Sequence, residues 1–133
     1  MVVDTSALAA ILFLEPEAAD FARMLAAAPL RLLSAVTRVE LSIVVEARKG
    51  EAGRAVLERL LREGEFETAP VTARHADLAI EAYRRFGKGR HRAGLNIGDC
   101  FSYALAKATG ESLLFKGDDF SQTDVPMARA SSL

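Results

Sequence analysis

Apolar positions along this chain fall into short unbroken runs that alternate with longer stretches in which they recur every three or four residues. The first pattern predicts buried strands and the second amphipathic helices. Met1-Val2-Val3 is the opening run, closed by Asp4, and Thr5-Ser6 offer hydroxyl caps for a helix through Ala7 to Leu14. Pro16 breaks that helix, and Glu17 to Ala28 supplies a second one that stops at Pro29. Leu30 to Ser34 is the next strand; Val36 to Lys49 is a helix closed by Gly50, and Glu51 to Glu63 is another, ended near Gly64. Phe66 to Val71 is a third strand, followed by a helix from Thr72 to Phe86 with Ala76, Ala79, Ile80 and Tyr83 on one side.

The pattern then lapses. Lys88 to Gly94 is basic and glycine-rich, which predicts a mobile loop. After Gly98 comes a helix that is apolar almost all round, as expected of one packed on a sheet and covered on its other sides. Ser112 to Phe115 is a fourth strand, Lys116 to Asp119 a turn, and Asp124 to Ala128 a short edge strand in which Pro126 is tolerable. The last residues are expected to fray. There is no internal repeat, low-complexity segment or linker, so residues 1–133 read as one domain. Short strands alternating with helices predict an α/β fold, with a parallel sheet of four or five strands and helices on both faces. In such a sheet ligands gather beyond the carboxyl ends of the strands.

Composition narrows the partners. Half of the 133 residues are hydrophobic and 26% are charged, ordinary for a globular domain that needs no disulfide or structural metal. Cys100, the single cysteine, excludes an internal disulfide framework and reads as packing within the apolar helix. The longest apolar run, Ala7 to Leu14, is far short of the roughly 20 residues that cross a bilayer. No leader pattern precedes the first strand, so a soluble cytoplasmic protein is expected. A net charge of −1 excludes a generally basic nucleic-acid binder and leaves a local patch or a bound metal as the means of holding one.

The acids carry the chemistry. Asp4 ends the first strand and Asp118-Asp119 follow the fourth, so a parallel sheet puts both at one edge. Asp99 lies in the first turn of the apolar helix, where the helix dipole favours it but lost hydration does not. Glu40 shares a helical stripe with Val36, Ile43, Val44 and Ala47, a carboxylate where the spacing asks for an apolar residue facing the sheet. Each acid has a local reading as well: Asp4 as a cap, Asp118-Asp119 as an acidic turn, and Thr37-Arg38-Val39-Glu40 as a capping box. Collected at one edge, the same acids would repel unless neutralised, and an oxygen-only set suits Mg²⁺ or Mn²⁺. His75 and His91 are isolated, which argues against zinc. From Arg84 to Arg92 the chain is basic; Arg84, Arg85, Lys88, Arg90 and Arg92 form either a solvated loop or a rim for a phosphate backbone, with Tyr83 and Phe86 nearby.

Four segments together resemble a PIN domain of the VapC toxin type: Val2-Val3-Asp4-Thr5-Ser6-Ala7, Glu40 in the helix after the second strand, Leu95 to Ala106, and Leu113 to Phe120. The resemblance covers essentially the whole chain. It implies a PIN-like α/β/α sandwich and a Mg²⁺-dependent endoribonuclease, Mn²⁺ being an alternative ion, that acts as the toxin of a type II toxin–antitoxin module. It also implies a VapB antitoxin as partner, whose tail lies in a groove near the active site, and a homodimer. By the same resemblance Asp4, Glu40 and Asp99 form the site, Asp4 and Asp99 bind magnesium directly, and Thr5 and Ser6 orient the first acid or a metal-bound water. The fourth acid is Asp118 or Asp119, with Asp118 favoured. Residues of Ala7 to Leu14 and Ile43 to Val45 are then groove or dimer walls, or plain core. Two other classes stay open: a catalytically silent partner-binding module, and a receiver-type phosphoacceptor domain, for which the third strand lacks its terminal acid.

Overall fold

The computed structural model describes residues 1–128, and the fraying expected of the last residues falls outside them. Strands β1 (Val2–Val3), β2 (Leu32–Ser34), β3 (Glu67–Ala69) and β4 (Leu113–Leu114) form one parallel sheet in the order β3-β2-β1-β4. β1 is central, with Val2 beside both Leu32 and Leu113. Alternating side chains of a strand point to opposite faces. Val2, Leu32 and Leu113 accordingly face a cluster with Leu95, Tyr103 and Leu105, while Val3, Leu33 and Leu114 face one with Leu8, Leu41, Val45 and Leu57. Both faces are covered over β1, β2 and β4, as their buried apolar residues require, while β3, Glu-Thr-Ala, is the partly exposed edge.

Helices α1 (Thr5–Leu12), α2 (Ala18–Ala27) and α3 (Ala35–Glu63) cover one face, and α4 (Ala73–Phe86) and α5 (Ile97–Thr109) the other. α1 is capped by Asp4 itself, not by Thr5 or Ser6. α3 spans the two helices predicted from sequence and kinks between them at Gly50, whose φ of 64° and ψ of −158° are not helical. Inward-facing Thr37, Leu41 and Val45 carry α3 onto the core. The stripe of Val36, Glu40, Ile43 and Val44 that was expected to face the sheet instead lines an open groove with Val39, Ile97 and Gly98. On α4 the buried residues are Ala79, Ala82 and Phe86, whereas Ile80 and Tyr83 are exposed, which moves the expected buried side by about one position along the helix.

Three further departures are local. Asp124 to Ala128, expected as an edge strand, adds a single bridge, Leu113 to Met127, because Pro126 can only accept at that edge through its carbonyl. Phe120–Gln122 forms a short 3₁₀ turn that the sequence did not signal. Finally, Lys88 to Gly94 is tied down where a mobile loop was expected: Gly87 bridges Leu95, the His91 ring packs edge-on against Phe86 at 5.2 Å, and Ala93 is buried.

α5 ends in a left-handed Gly110 and returns into β4 within Glu111-Ser112. A helix that feeds a strand through so short a turn runs antiparallel to it, and this puts the first turn of α5 over the carboxyl ends of the strands. Gly50 lies in a backbone region essentially closed to residues with a Cβ, so Gly50→Ala should cost about 1–3 kcal/mol in urea unfolding; an unchanged midpoint would show that the kink is dispensable.

Candidate active site

Asp4 leaves β1 at the sheet's carboxyl edge and is nearly inaccessible, with 3% of its surface exposed. Its backbone N–H still donates to Leu114 at 3.0 Å, so the sheet ladder itself fixes the residue. Oδ2 accepts from the Ser6 backbone N–H at 3.0 Å and from the Ser6 hydroxyl at 2.7 Å, and Oδ1 accepts from the Ser102 hydroxyl at 2.6 Å. The Ser6 hydroxyl in turn accepts from the Lys116 N–H at 3.0 Å, which ties the start of α1 to the chain leaving β4. All of these donors are neutral. They hold the carboxylate without cancelling its charge.

Glu40 comes from α3, whose cap is Ser34, so the capping-box reading of Thr37 to Glu40 fails. Its Oε1 accepts from the Thr5 hydroxyl at 2.5 Å. Its carboxyl group lies directly over Gly98: a Cβ placed there would sit 2.3 Å from Oε2 and 2.7 Å from the carboxyl carbon. Gly98 thus supplies the flat backbone on which the Glu40 carboxylate rests, a close approach that only a residue without a side chain allows.

Asp99 opens α5, and here a capping box does form: the Asn96 side chain accepts from the Asp99 N–H at 2.8 Å and Asp99 Oδ2 accepts from the Asn96 N–H at 3.0 Å. Burial pushes the Asp99 carboxyl up to about 7; the Asn96 N–H acts in the opposite sense, and the charges of Asp4, Glu40 and Asp119 push it further up. Three segments far apart in the chain therefore bring Asp4, Glu40 and Asp99 into one electrostatic neighbourhood, as the sequence anticipated. Asp118 and Asp119 are both exposed, but only the Asp119 charge figures among those acting on Asp99.

These residues suit a hard divalent cation. The donors are carboxylate oxygens, they repel one another, and burial has stripped Asp4 and Asp99 of much of the water that would otherwise screen them. Among the described residues no three His, Cys, Asp or Glu side chains already close on a single point, so an ion would have to draw the acids together.

The basic rim is divided. Arg85 is engaged by Asp124 at 3.4 Å and lies over the Phe86 ring, in a cluster where Asp124 also accepts from the buried Tyr103 hydroxyl at 2.6 Å. Arg90 lies over Tyr83, and Arg84, Lys88, Arg90 and Arg92 are exposed. Cys100 is buried and burial, followed by the Asp99 charge, pushes its thiol up to about 11, in keeping with a packing role.

Sequence reasoning missed Ser102, Thr37, Asn96 and Gly98. Ser102 lies three residues after Asp99 in an otherwise apolar helix, and Thr37 three before Glu40. A hydroxyl one turn away from an acid was the available signal.

A model of the PIN domain matches residues 1–126. Over 125 residues the chain is 51% identical to Ribonuclease VapC30 of Mycobacterium tuberculosis, a match that covers 94% of this chain and 95% of that protein. It is 53% identical over 125 residues to Ribonuclease VapC of Mycolicibacterium smegmatis, covering 94% of this chain and 97% of that one. Among solved structures it is similar to Mycobacterium tuberculosis VapC20, described as a sarcin–ricin loop cleaving toxin, with a TM-score of 0.78 at 21% identity over 96% of this chain and 98% of that one. It is also similar to VapBC2 from Rickettsia felis bound to a DNA fragment from their promoter, with a TM-score of 0.76 at 15% identity over 96% of each chain. At those identities the structural likeness establishes the fold.

The raised Asp99 group sets a sign for stability. Between its unfolded value near 3.8 and about 7 the folded chain binds the extra proton, so stability without divalent ions falls as pH rises through that window. Asp99→Asn keeps the capping acceptor and removes the charge. Its stability relative to the parent should therefore be greater at pH 8 than at pH 5 in urea unfolding; an advantage independent of pH would show that Asp99 is not perturbed.

Proposed function

The chain belongs to the PIN-domain family, among its VapC ribonuclease toxins of toxin–antitoxin modules, and we propose that it hydrolyses RNA phosphodiester bonds with a magnesium ion held by Asp4 and Asp99. The observation that carries this reading is the desolvated Asp99 carboxyl in the shared field of Asp4, Glu40 and Asp119, an arrangement a dication relieves. When bound, such an ion polarises the phosphoryl oxygens and acidifies a water. Mn²⁺ has the same ligand preference and would substitute.

The chain's own residues divide the rest of the work. Ser6 and Ser102 hold Asp4 by its two oxygens, and Asn96 fixes Asp99 through the capping box. Glu40 is aimed by Thr5 and by the bare backbone of Gly98; it takes the proton from the attacking water. Asp119 is the fourth acid in preference to Asp118, because its charge reaches Asp99. Exposed Arg84, Lys88, Arg90 and Arg92 steer the RNA backbone, with Arg85 contributing less because Asp124 holds it.

The same reading includes a VapB-type antitoxin as partner and a homodimer. Val39, Ile43, Ile80 and Ile97 are exposed and line two grooves that meet at Ile97, apolar surface of a kind that a partner covers. A toxin–antitoxin complex from Klebsiella pneumoniae shares the fold, with a TM-score of 0.71. Among the described residues no helix is long and apolar enough to cross a membrane. The phosphoacceptor alternative falls: β3 ends at Ala69, followed by Pro70, and offers no acceptor acid.

Purified protein should cleave RNA with Mg²⁺ and stop on addition of EDTA. Asp4→Asn or Asp99→Asn should lower kcat/KM more than about 100-fold, since even indirect supports of a metal site are worth 10–100-fold. Asp119→Asn should fall within that 10–100-fold range and Asp118→Asn should change it less than about twofold. Cleavage that survives EDTA, or a folded Asp4→Asn enzyme of full activity, would defeat the reading, and no cleavage at all would favour a silent partner-binding module.

A further inference from the structure

Behind Asp4 lies a pair of buried hydroxyls that no acid site requires for its charge. Ser102 Oγ is 2.6 Å from Asp4 Oδ1, and Thr37 Oγ1 is 3.2 Å from Ser102 Oγ. Ser102 and Thr37 are 0% and 1% exposed. A serine hydroxyl has one proton, and a carboxylate can only accept. The Ser102 proton therefore points at Asp4, and Thr37 must be the donor to Ser102. The chain has a fixed direction, from Thr37 through Ser102 to Asp4.

Lone pairs add a second constraint. A carboxylate offers about four acceptor positions, two on each oxygen. Ser6 fills both on Oδ2, through its N–H and its hydroxyl, and Ser102 fills one on Oδ1. Among the described residues no other group bonds to Oδ1, so the position left to an incoming partner is on the oxygen held by Ser102. Oδ2 is committed to capping α1.

We propose that Ser102 and Thr37 are positioning residues for the dication site, holding Asp4 so that Oδ1 alone offers a free lone pair to the ion. The inference rests on the metal-dependent reading above. Its logic is repeated on two helices: α3 carries Thr37 three residues before Glu40, and α5 carries Ser102 three residues after Asp99. The hydroxyl pair braces the two acid-bearing helices against each other and aims the acid of the strand between them. Neutral donors suit this task. A lysine or arginine at the same place would hold Asp4 equally well and compete with the ion for its charge.

The test is Mn²⁺ affinity, read by electron paramagnetic resonance and calorimetry without RNA, with thermal unfolding as the check on fold. Ser102→Ala and Thr37→Val should each weaken Mn²⁺ binding by about 10–100-fold, as removal of an outer-shell support does. Thr37→Ser keeps the donor and should bind Mn²⁺ like the parent. Because Thr37 acts only through Ser102, the double variant should bind no more weakly than Ser102→Ala alone. RNA cleavage should fall in parallel, with KM unchanged. Variants that fold and bind Mn²⁺ like the parent, or a double variant whose losses add, would overturn the positioning role. Should Ser102→Ala fail to fold, the contrast between Thr37→Val and Thr37→Ser decides alone. Failure of the parent to bind Mn²⁺ would instead overturn the metal-dependent reading on which this rests.

Discussion

Mutual repulsion among carboxylates crowded at one sheet edge is the constraint to which the rest of this structure answers. Asp4, Glu40 and Asp99 are held by a backbone ladder, hydroxyls and amide groups, and none by a salt bridge among the described residues. Lys116, whose backbone N–H binds Ser6, pairs its ammonium group with Glu15 and Glu17 on the α1–α2 side and leaves the central group uncancelled. A folded chain keeps such an unfavourable arrangement only because the surrounding packing over-determines it.

That packing depends on α5. One helix fills the core between sheet and α4 through Cys100, Tyr103, Ala104 and Leu105, and places an ionisable acid in its first turn. The two tasks are compatible because the first turn overhangs the carboxyl edge while the later turns lie over the sheet. Gly98 completes the arrangement by letting the Glu40 carboxylate lie on bare backbone, so α3 and α5 approach at the site more closely than side chains would permit.

The surroundings divide by polarity. Basic residues follow α4, where the Gly87 to Leu95 bridge carries them to the entrance of α5, and apolar residues of α3, α4 and α5 line grooves beside the acids. Charge attracts a phosphate chain without reading its sequence, whereas apolar grooves reward shape. One small edge of the molecule thus offers both kinds of surface.

Much of the architecture was legible in the residues alone. Proline and glycine marked most helix ends, apolar runs marked β1, β2 and β4, and the rule that ligands collect at the carboxyl edge singled out Asp4. Periodicity misassigned the buried sides of α3 and α4, since residues adjacent on a helix such as Ile80 and Ala79 differ little in spacing and only the neighbouring element decides which is covered. The capping boxes show the same limit: Thr37 to Glu40 has the required residue types and does not cap, while Asn96 to Asp99 does. By itself the sequence determined which residue types recur at which spacing, and with them the strands, the helices and the family, because these depend on neighbours along the chain. The tertiary structure alone decided that Ser102 and Thr37 stand behind Asp4, that Gly98 lies beneath Glu40 and that Asp119 acts on Asp99, because those contacts join segments whose separation in sequence carries no record of their distance in space.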